Sequence, residues 1–283
     1  MRSPDVDNLQ PLTRAVSVAW SGSVVDDDSP AGLDQMLIDL LAGFVNKVRS
    51  FFCCNNVACN ELLMIRRIID ISHHEDPIDF EKVVANGIVA IIAKATQGAT
   101  GVDPAYAKFK RAAAPYKFLW GSYHFGTGAN VKAQVEHYFA TAKPTDNELV
   151  RLDFEQNPSG SSMILPKARE FISLVEQEIG RYPVLYGGGW LKEQLNGKSD
   201  DVLSKYPLWI SHYASKPVLP PGWKKYVLWQ YTDGHVGEEP HNVSGIGPCD
   251  HNQYNGTITG LRKRWPFGKR TGSGKRTGSR LNI

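Results

Sequence analysis

Asp153 and Glu155, two residues apart in the run Leu152-Asp153-Phe154-Glu155, are the pair whose type and spacing most directly suggest chemistry. On an extended strand, residues i and i+2 share a face with Cα atoms about 6.6 Å apart, so both acids project to one side and Phe154 turns to the other. Two negative charges at that range do not both ionise cheaply. One carboxyl is pushed towards a higher pKa, the state a general acid needs near neutrality. A lone D-x-E pair also fits two solvated carboxylates at a strand end, so the neighbouring residues must decide. Other constellations offer less. Gly197-Lys198-Ser199 lacks the upstream glycine of a phosphate loop. His73 and His74 are adjacent and point opposite ways, without the spacing of a metal site. No G-x-S-x-G run or cysteine nucleophile pairing supports acyl transfer.

The elements that must position the acid pair alternate β-branched runs with helical stretches. Strands are predicted at 66–72, 87–96, 117–125, 148–155, 182–188, 206–213, 225–232 and 248–254. The segments between the first five, 79–87, 103–115, 130–142 and 164–180, are each long enough for a crossover helix, several opened by Asp or Asn as N-cap. Strand and helix in alternation imply a parallel sheet. The links after strands six and seven are Pro-rich and too short for a full helix, so the expectation is a barrel of eight strands with an irregular second half. Working residues of such barrels stand at the C-terminal strand ends. Polar residues gather there: Asp70, Lys94 with Thr96, Tyr123 with His124, Asp153 with Glu155, Tyr186, His212 with Tyr213, and Gln230 with Tyr231.

Composition narrows the class further. The 283 residues are 42% hydrophobic and 22% charged, which suits a folded soluble chain and excludes collagen-like and coiled-coil readings. No apolar run approaches the roughly 18 residues of a membrane span. The net charge of +3 conceals an asymmetry, because no acid follows Asp250 while Arg262, Lys263, Arg264, Lys269, Arg270, Lys275, Arg276 and Arg280 crowd the end. The body is therefore mildly acidic and no nucleic-acid function is expected. Three parts follow: residues 1–63 as an appendage with an amphipathic helix at 36–52, residues 64–260 as the barrel, and residues 261–283 as a basic tail. The repeated hexapeptide GKRTGS in that tail has too little apolar surface to fold. Helix 36–52 is expected to pack on the barrel rather than lie on a membrane, and Met64 is an alternative start. Cys53, Cys54, Cys59 and Cys249 fit no disulfide framework or zinc pattern and read as free thiols. The first residues lack a secretory pattern.

Six motifs in register extend the D-x-E pair. IDISHHEDPIDFEKV, AKATQG, GSYHF, LDFE, WQYT and GPCDHNQYNG, on strands one to four, seven and eight, closely resemble glycoside hydrolase family 25 lysozymes over about residues 66–257. The resemblance implies an α/β fold, a modified TIM-like barrel of five β/α units followed by three further strands. It implies an N-acetylmuramidase that cuts the β-1,4 bond between N-acetylmuramic acid and N-acetylglucosamine in peptidoglycan. Carried over residue by residue, Glu155 matches the proton donor and Asp153 the partner acting on the substrate N-acetyl group. Asp70 and Asp250 match acids lining the groove, and Tyr123, Tyr186, Trp209 and Trp229 match sugar-facing aromatics. No metal or other cofactor is implied.

Acids on one strand reach the same side of the scissile bond, which favours substrate-assisted retention, while an inverting route with Asp70 or Asp250 as base stays open. A chitinase-like hydrolase usually carries a longer acidic series on the catalytic strand than Val150 and Arg151 provide here. A barrel that only binds glycans would retain the aromatics and lose an acid. The expected partners are peptidoglycan and, through the basic tail, anionic envelope polymers, with the protein acting as a monomer. How such an enzyme reaches the wall is not assigned: a pore, a non-standard export route or a corrected start would each serve.

Overall fold

The β-branched runs form strands where the sequence marks them: β1 (Met64–Ile71), β2 (Ala90–Gln97), β3 (Leu119–Phe125), β4 (Leu149–Asp153), β5 (Val184–Gly187), β6 (Leu208–Ser211), β7 (Leu228–Thr232) and β8 (Asp250–Asn255). They belong to a computed structural model that describes residues 64–269. Helix 36–52, Cys53, Cys54, Cys59 and residues 270–283 of the tail lie outside the described residues.

β1 to β7 pair in parallel, each with the next. β8 lies antiparallel to both β7 and β1 and closes the barrel. Five helices follow β1 to β5 in turn: α1 (Phe80–Ala85), α2 (Tyr106–Ala113), α3 (Val131–Ala142), α4 (Leu165–Ile179) and α5 (Gly189–Leu195). Five β/α units and three further strands therefore make the modified TIM-like barrel. Asp79 and Asn130 cap α1 and α3 by accepting from the amides of Lys82 and Ala133. The sequence reading did not mark α5, because Gly187, Gly188 and Gly189 run into its start. Gly188 is required by a close approach: a Cβ there would lie 2.9 Å from the Ser211 carbonyl oxygen on β6.

Both faces of the sheet are covered, which is why the strands read as nearly unbroken apolar runs rather than alternating ones. Outward residues such as Ile69, Ile71, Ile91, Leu152, Phe154 and Ile210 pack with Phe80, Phe109, Tyr138 and Phe171 of the helices. Inward residues Ile68, Ala90, Ile92, Leu149, Val184 and Leu228 fill the barrel. Its lower end is plugged from beyond β8 by α6 (Ile258–Arg264), whose Leu261 is buried, and by Trp265 and Phe267. The Trp265 indole donates to the Trp120 carbonyl at 3.2 Å. Gly268 follows with φ +66°, and a Cβ there would collide with the Tyr182 carbonyl. The barrel and its plug thus run past residue 261, where the sequence placed the start of the tail. The run Arg262-Lys263-Arg264 hid a helix whose two apolar contacts, Ile258 and Leu261, are too short a signal to read.

Candidate active site

The upper ends of the strands converge on an acidic cluster with one cation at its centre. Arg151 shares the inward face of β4 with Leu149 and Asp153, is 2% exposed, and donates from Nη1 to Asp70 Oδ2 at 2.8 Å and from Nη2 to Asp153 Oδ2 at 3.0 Å. Its guanidinium carbon lies 4.1, 4.0 and 4.3 Å from the ring centroids of Tyr123, Tyr186 and Trp209. A buried cation needs paired charge and polarisable walls, and here it has both. Arg151 is thereby fixed, and it fixes two carboxylates in turn.

Asp70, at the end of β1, is fully engaged. Oδ1 accepts from Asn252 at 2.7 Å and Gln230 at 3.1 Å, while Oδ2 accepts from Arg151 and from Gln230 at 3.3 Å. The Asp70 carboxylate takes the Gln230 Nε2 donor, which leaves Oε1 to accept from the hydroxyls of Tyr186 at 2.7 Å, Tyr213 at 2.9 Å and Ser211 at 3.3 Å. Asn252 is held likewise by the Trp209 indole N–H at 2.8 Å. Asp250 opens β8 and stands opposite Asp70 in the β1–β8 register. A strand entering against the others delivers its first residue, rather than its last, to the mouth.

Three of the carboxyl groups are shifted upward. Burial, then repulsion from Asp153, pushes Glu155 up to about 8, with Arg151 and the nearby Tyr186 hydroxyl acting the other way. Burial also raises Asp153, opposed by its ion pair with Arg151. Asp250 is held well above the usual carboxylate range by burial and then by Asp70. Glu155 is only half-buried and stands just past the end of β4. At neutral pH it can give up a proton to a group in the mouth. Asp153 Oδ1 has no hydrogen-bond partner among the described residues, leaving a buried acceptor beside that donor.

The structure brings Asp70, Asp153, Glu155, Asp250, Tyr123, Tyr186 and Trp209 together around Arg151, but two aromatics depart from the expectation of sugar-facing rings. Trp209 is 0% exposed and lies beneath the acids as their floor. Trp229 is on the outward face of β7, where the alternation places Leu228 and Gln230 inward; its indole donates to the His212 carbonyl at 2.7 Å and it packs in the outer layer. The strand period of two decides this: Gln230 must face in to reach Asp70, so Trp229 faces out. Thr96, His124 and Tyr231, also polar residues at strand ends, face outward. His124 joins Thr96 at 2.8 Å and Gln134 at 3.1 Å beneath α3, and burial lowers it to about 3, so it stays neutral. Cys249 is a buried free thiol that burial pushes up. The residue that sequence reasoning missed is Arg151. Its signal was the same period of two that paired Asp153 with Glu155.

Comparison with known proteins gives one result. The family model described as Glycosyl hydrolases family 25 matches residues 69–239. Among curated proteins, the chain is 29% identical over 206 residues to the uncharacterized protein YegX of Escherichia coli (strain K12), covering 69% of this chain and 71% of that one. It is 26% identical over 208 residues to Lysozyme M1 of Streptomyces globisporus, covering 68% and 69%. Among solved structures, the muramidase from Acremonium alcalophilum superposes with a TM-score of 0.59 at 28% identity, over 69% of this chain and 95% of that one.

Proposed function

Since the chain belongs to glycosyl hydrolases family 25, and is therefore a glycoside hydrolase, we propose that it is a lysozyme, an N-acetylmuramidase of peptidoglycan. The bond cut is the β-1,4 link between N-acetylmuramic acid and N-acetylglucosamine. Similarity to a protein named Lysozyme M1 and to a solved muramidase supports this reading. The observation that carries it is the pair formed by a carboxyl that keeps its proton to about pH 8, on Glu155, and a buried free acceptor oxygen, on Asp153.

In the proposed reaction, Glu155 gives its proton to the glycosidic oxygen as the bond to the anomeric carbon breaks. The oxygen of the substrate's 2-acetamido group closes on that carbon, and Asp153 Oδ1 accepts the amide N–H and steadies the positive charge that develops. Glu155, now ionised, takes a proton from the water that opens the ring and is restored. Arg151 is a positioning residue: its guanidinium holds the carboxyl groups of Asp153 and Asp70 in place. Asp70 is tied up by three donor groups, Arg151, Gln230 and Asn252, which hold it in the floor of the site rather than free to activate water. Burial and the neighbouring Asp70 raise the Asp250 carboxyl well above the usual carboxylate range, which disfavours the anion that a base requires. Both points support retention over inversion. Direct NMR observation of the first-formed anomer tests this. The β-configuration is expected, and the α-anomer as first product overturns the scheme.

A single barrel contributes every residue of the scheme, which supports a monomer as the working unit. The basic tail is read as a polycation that draws the enzyme to anionic envelope polymers. Ending the chain after Lys269 removes Arg270, Lys275, Arg276 and Arg280. That truncation is expected to weaken sedimentation with whole walls at low salt and to have no effect near 0.5 M salt, where the Debye length falls to about 4 Å. Equal wall binding at low salt removes the role of the tail.

A further inference from the structure

On the β2–β4 side of the acids a cavity of about 550 Å³ opens, with His73, Lys94, Gln97, Asp103, Asn157 and Ser161 among its walls. That volume lies within the range of about 300–1,000 Å³ usual for small-molecule sites. Lys94 stands on β2 and is half-buried. Its ammonium donates to Gln97 Oε1 at 2.8 Å and lies 5.1 Å from the centroid of the Phe125 ring. Among the described residues it is in no ion pair.

The acids near it are already committed. Asp103 is bound by the His73 ring at 2.8 Å and by the backbone amides of His73 and Ala105, and Asp153 by Arg151. An ammonium has three donors, and a charge withdrawn from water is costly unless matched. Asp153 and Asp103 attract the Lys94 charge without either forming an ion pair with it, so the ammonium lining this cavity has no direct counter-ion there. In a mouth otherwise dominated by carboxylates, this is the place that attracts an anion.

We propose that this cavity is a subsite for the carboxylate-bearing substituent on O3 of a muramic acid residue, and that Lys94 holds that carboxylate. The proposal rests on the muramidase reading and adds to it the group that distinguishes the two alternating sugars. N-Acetylglucosamine has a free hydroxyl at O3 and offers the ammonium no charge. Muramic acid has a lactyl group, whose own carboxylate is free when the peptide stem is absent. When the stem is present, the carboxylates are those of the stem.

The test measures calorimetric binding in a Glu155→Gln background, where ligands persist, with and without Lys94→Met. Three oligosaccharides of equal length serve: a stem-free glycan of alternating N-acetylglucosamine and N-acetylmuramic acid, the same glycan with stems, and a chito-oligosaccharide. Lys94→Met is expected to weaken the first, the second or both about tenfold or more, as loss of a charged hydrogen bond does. The chito-oligosaccharide is expected to bind as before, which also shows that the variant is folded. Loss with the stem-free glycan identifies the lactyl carboxylate, and loss with the stem-bearing glycan alone identifies the stem. Equal weakening of all three ligands, or of none, overturns the proposal. If Lys94→Met has no selective effect but the wild-type enzyme digests peptidoglycan, only the subsite is wrong. If the wild-type enzyme does not digest peptidoglycan, the muramidase reading fails and takes the subsite with it.

Discussion

At the residue scale, the site consists of four carboxyl groups and one guanidinium whose protonation states are set by who touches whom. Replacing Arg151 by Met leaves Asp70 and Asp153 buried without their counter-charge. Breaking a buried pair from one side typically costs about 3–5 kcal/mol, so urea denaturation should show a loss of that order. Glu155 gives a second expectation. As the proton donor it is active below its pKa, so kcat/KM is expected to fall on the alkaline side with a midpoint near 8. The same shift bears on stability. A carboxyl whose pKa rises from 4.5 in the unfolded chain to about 8 in the folded one stabilises the fold fully below 4.5, and that contribution is lost as pH climbs towards 8. Glu155→Gln is therefore expected to raise the melting temperature relative to wild type progressively between pH 4.5 and 8. A difference that stays constant with pH contradicts the raised pKa.

At the element scale, the alternation of each strand decides which side chains meet in the mouth. Trp229 and Gln230 are neighbours in sequence, yet one faces the helices and the other the acids. Trp229→Phe is expected to keep the KM for soluble glycan fragments within about twofold while lowering stability modestly. A large rise in KM would return Trp229 to the groove. The same alternation explains what was legible in the sequence. Seven runs with β-branched residues and a polar eighth, PCDHNQY, marked the eight strands, and the D-x-E pair marked the reacting face. The period of two placed Arg151 on the face of Asp153, but nothing in that strand shows that Asp70 and three aromatic rings, contributed by other strands, will converge on it. Trp209 was read as a sugar platform because a strand-end aromatic looks the same in sequence whether it lines a groove or supports its floor. The antiparallel entry of β8 was left open by the links, although the motif around Asp250 had already assigned its acid to the mouth.

At the scale of the whole molecule, the barrel separates its tasks by end. The upper end carries the acids, and the lower end is plugged by Leu261, Trp265 and Phe267. Ending the chain after Leu261 removes Trp265 and Phe267, whose burial stabilises the fold by about 1.5–3 kcal/mol each, so a clear drop in melting temperature is expected. Ending it after Lys269 is expected to leave the melting temperature unchanged. Equal melting of the two truncated chains would show that the plug contributes nothing. The identity of the bond that this architecture cuts is written in the product. Purified peptidoglycan is digested with the wild-type protein and with Glu155→Gln, and the new reducing ends are identified by mass spectrometry after borohydride reduction. Reduced N-acetylmuramic acid is expected from the wild type, and a rate lower by about 10² or more from the variant. Reduced N-acetylglucosamine as the new end, or near-normal digestion by Glu155→Gln, would contradict that expectation.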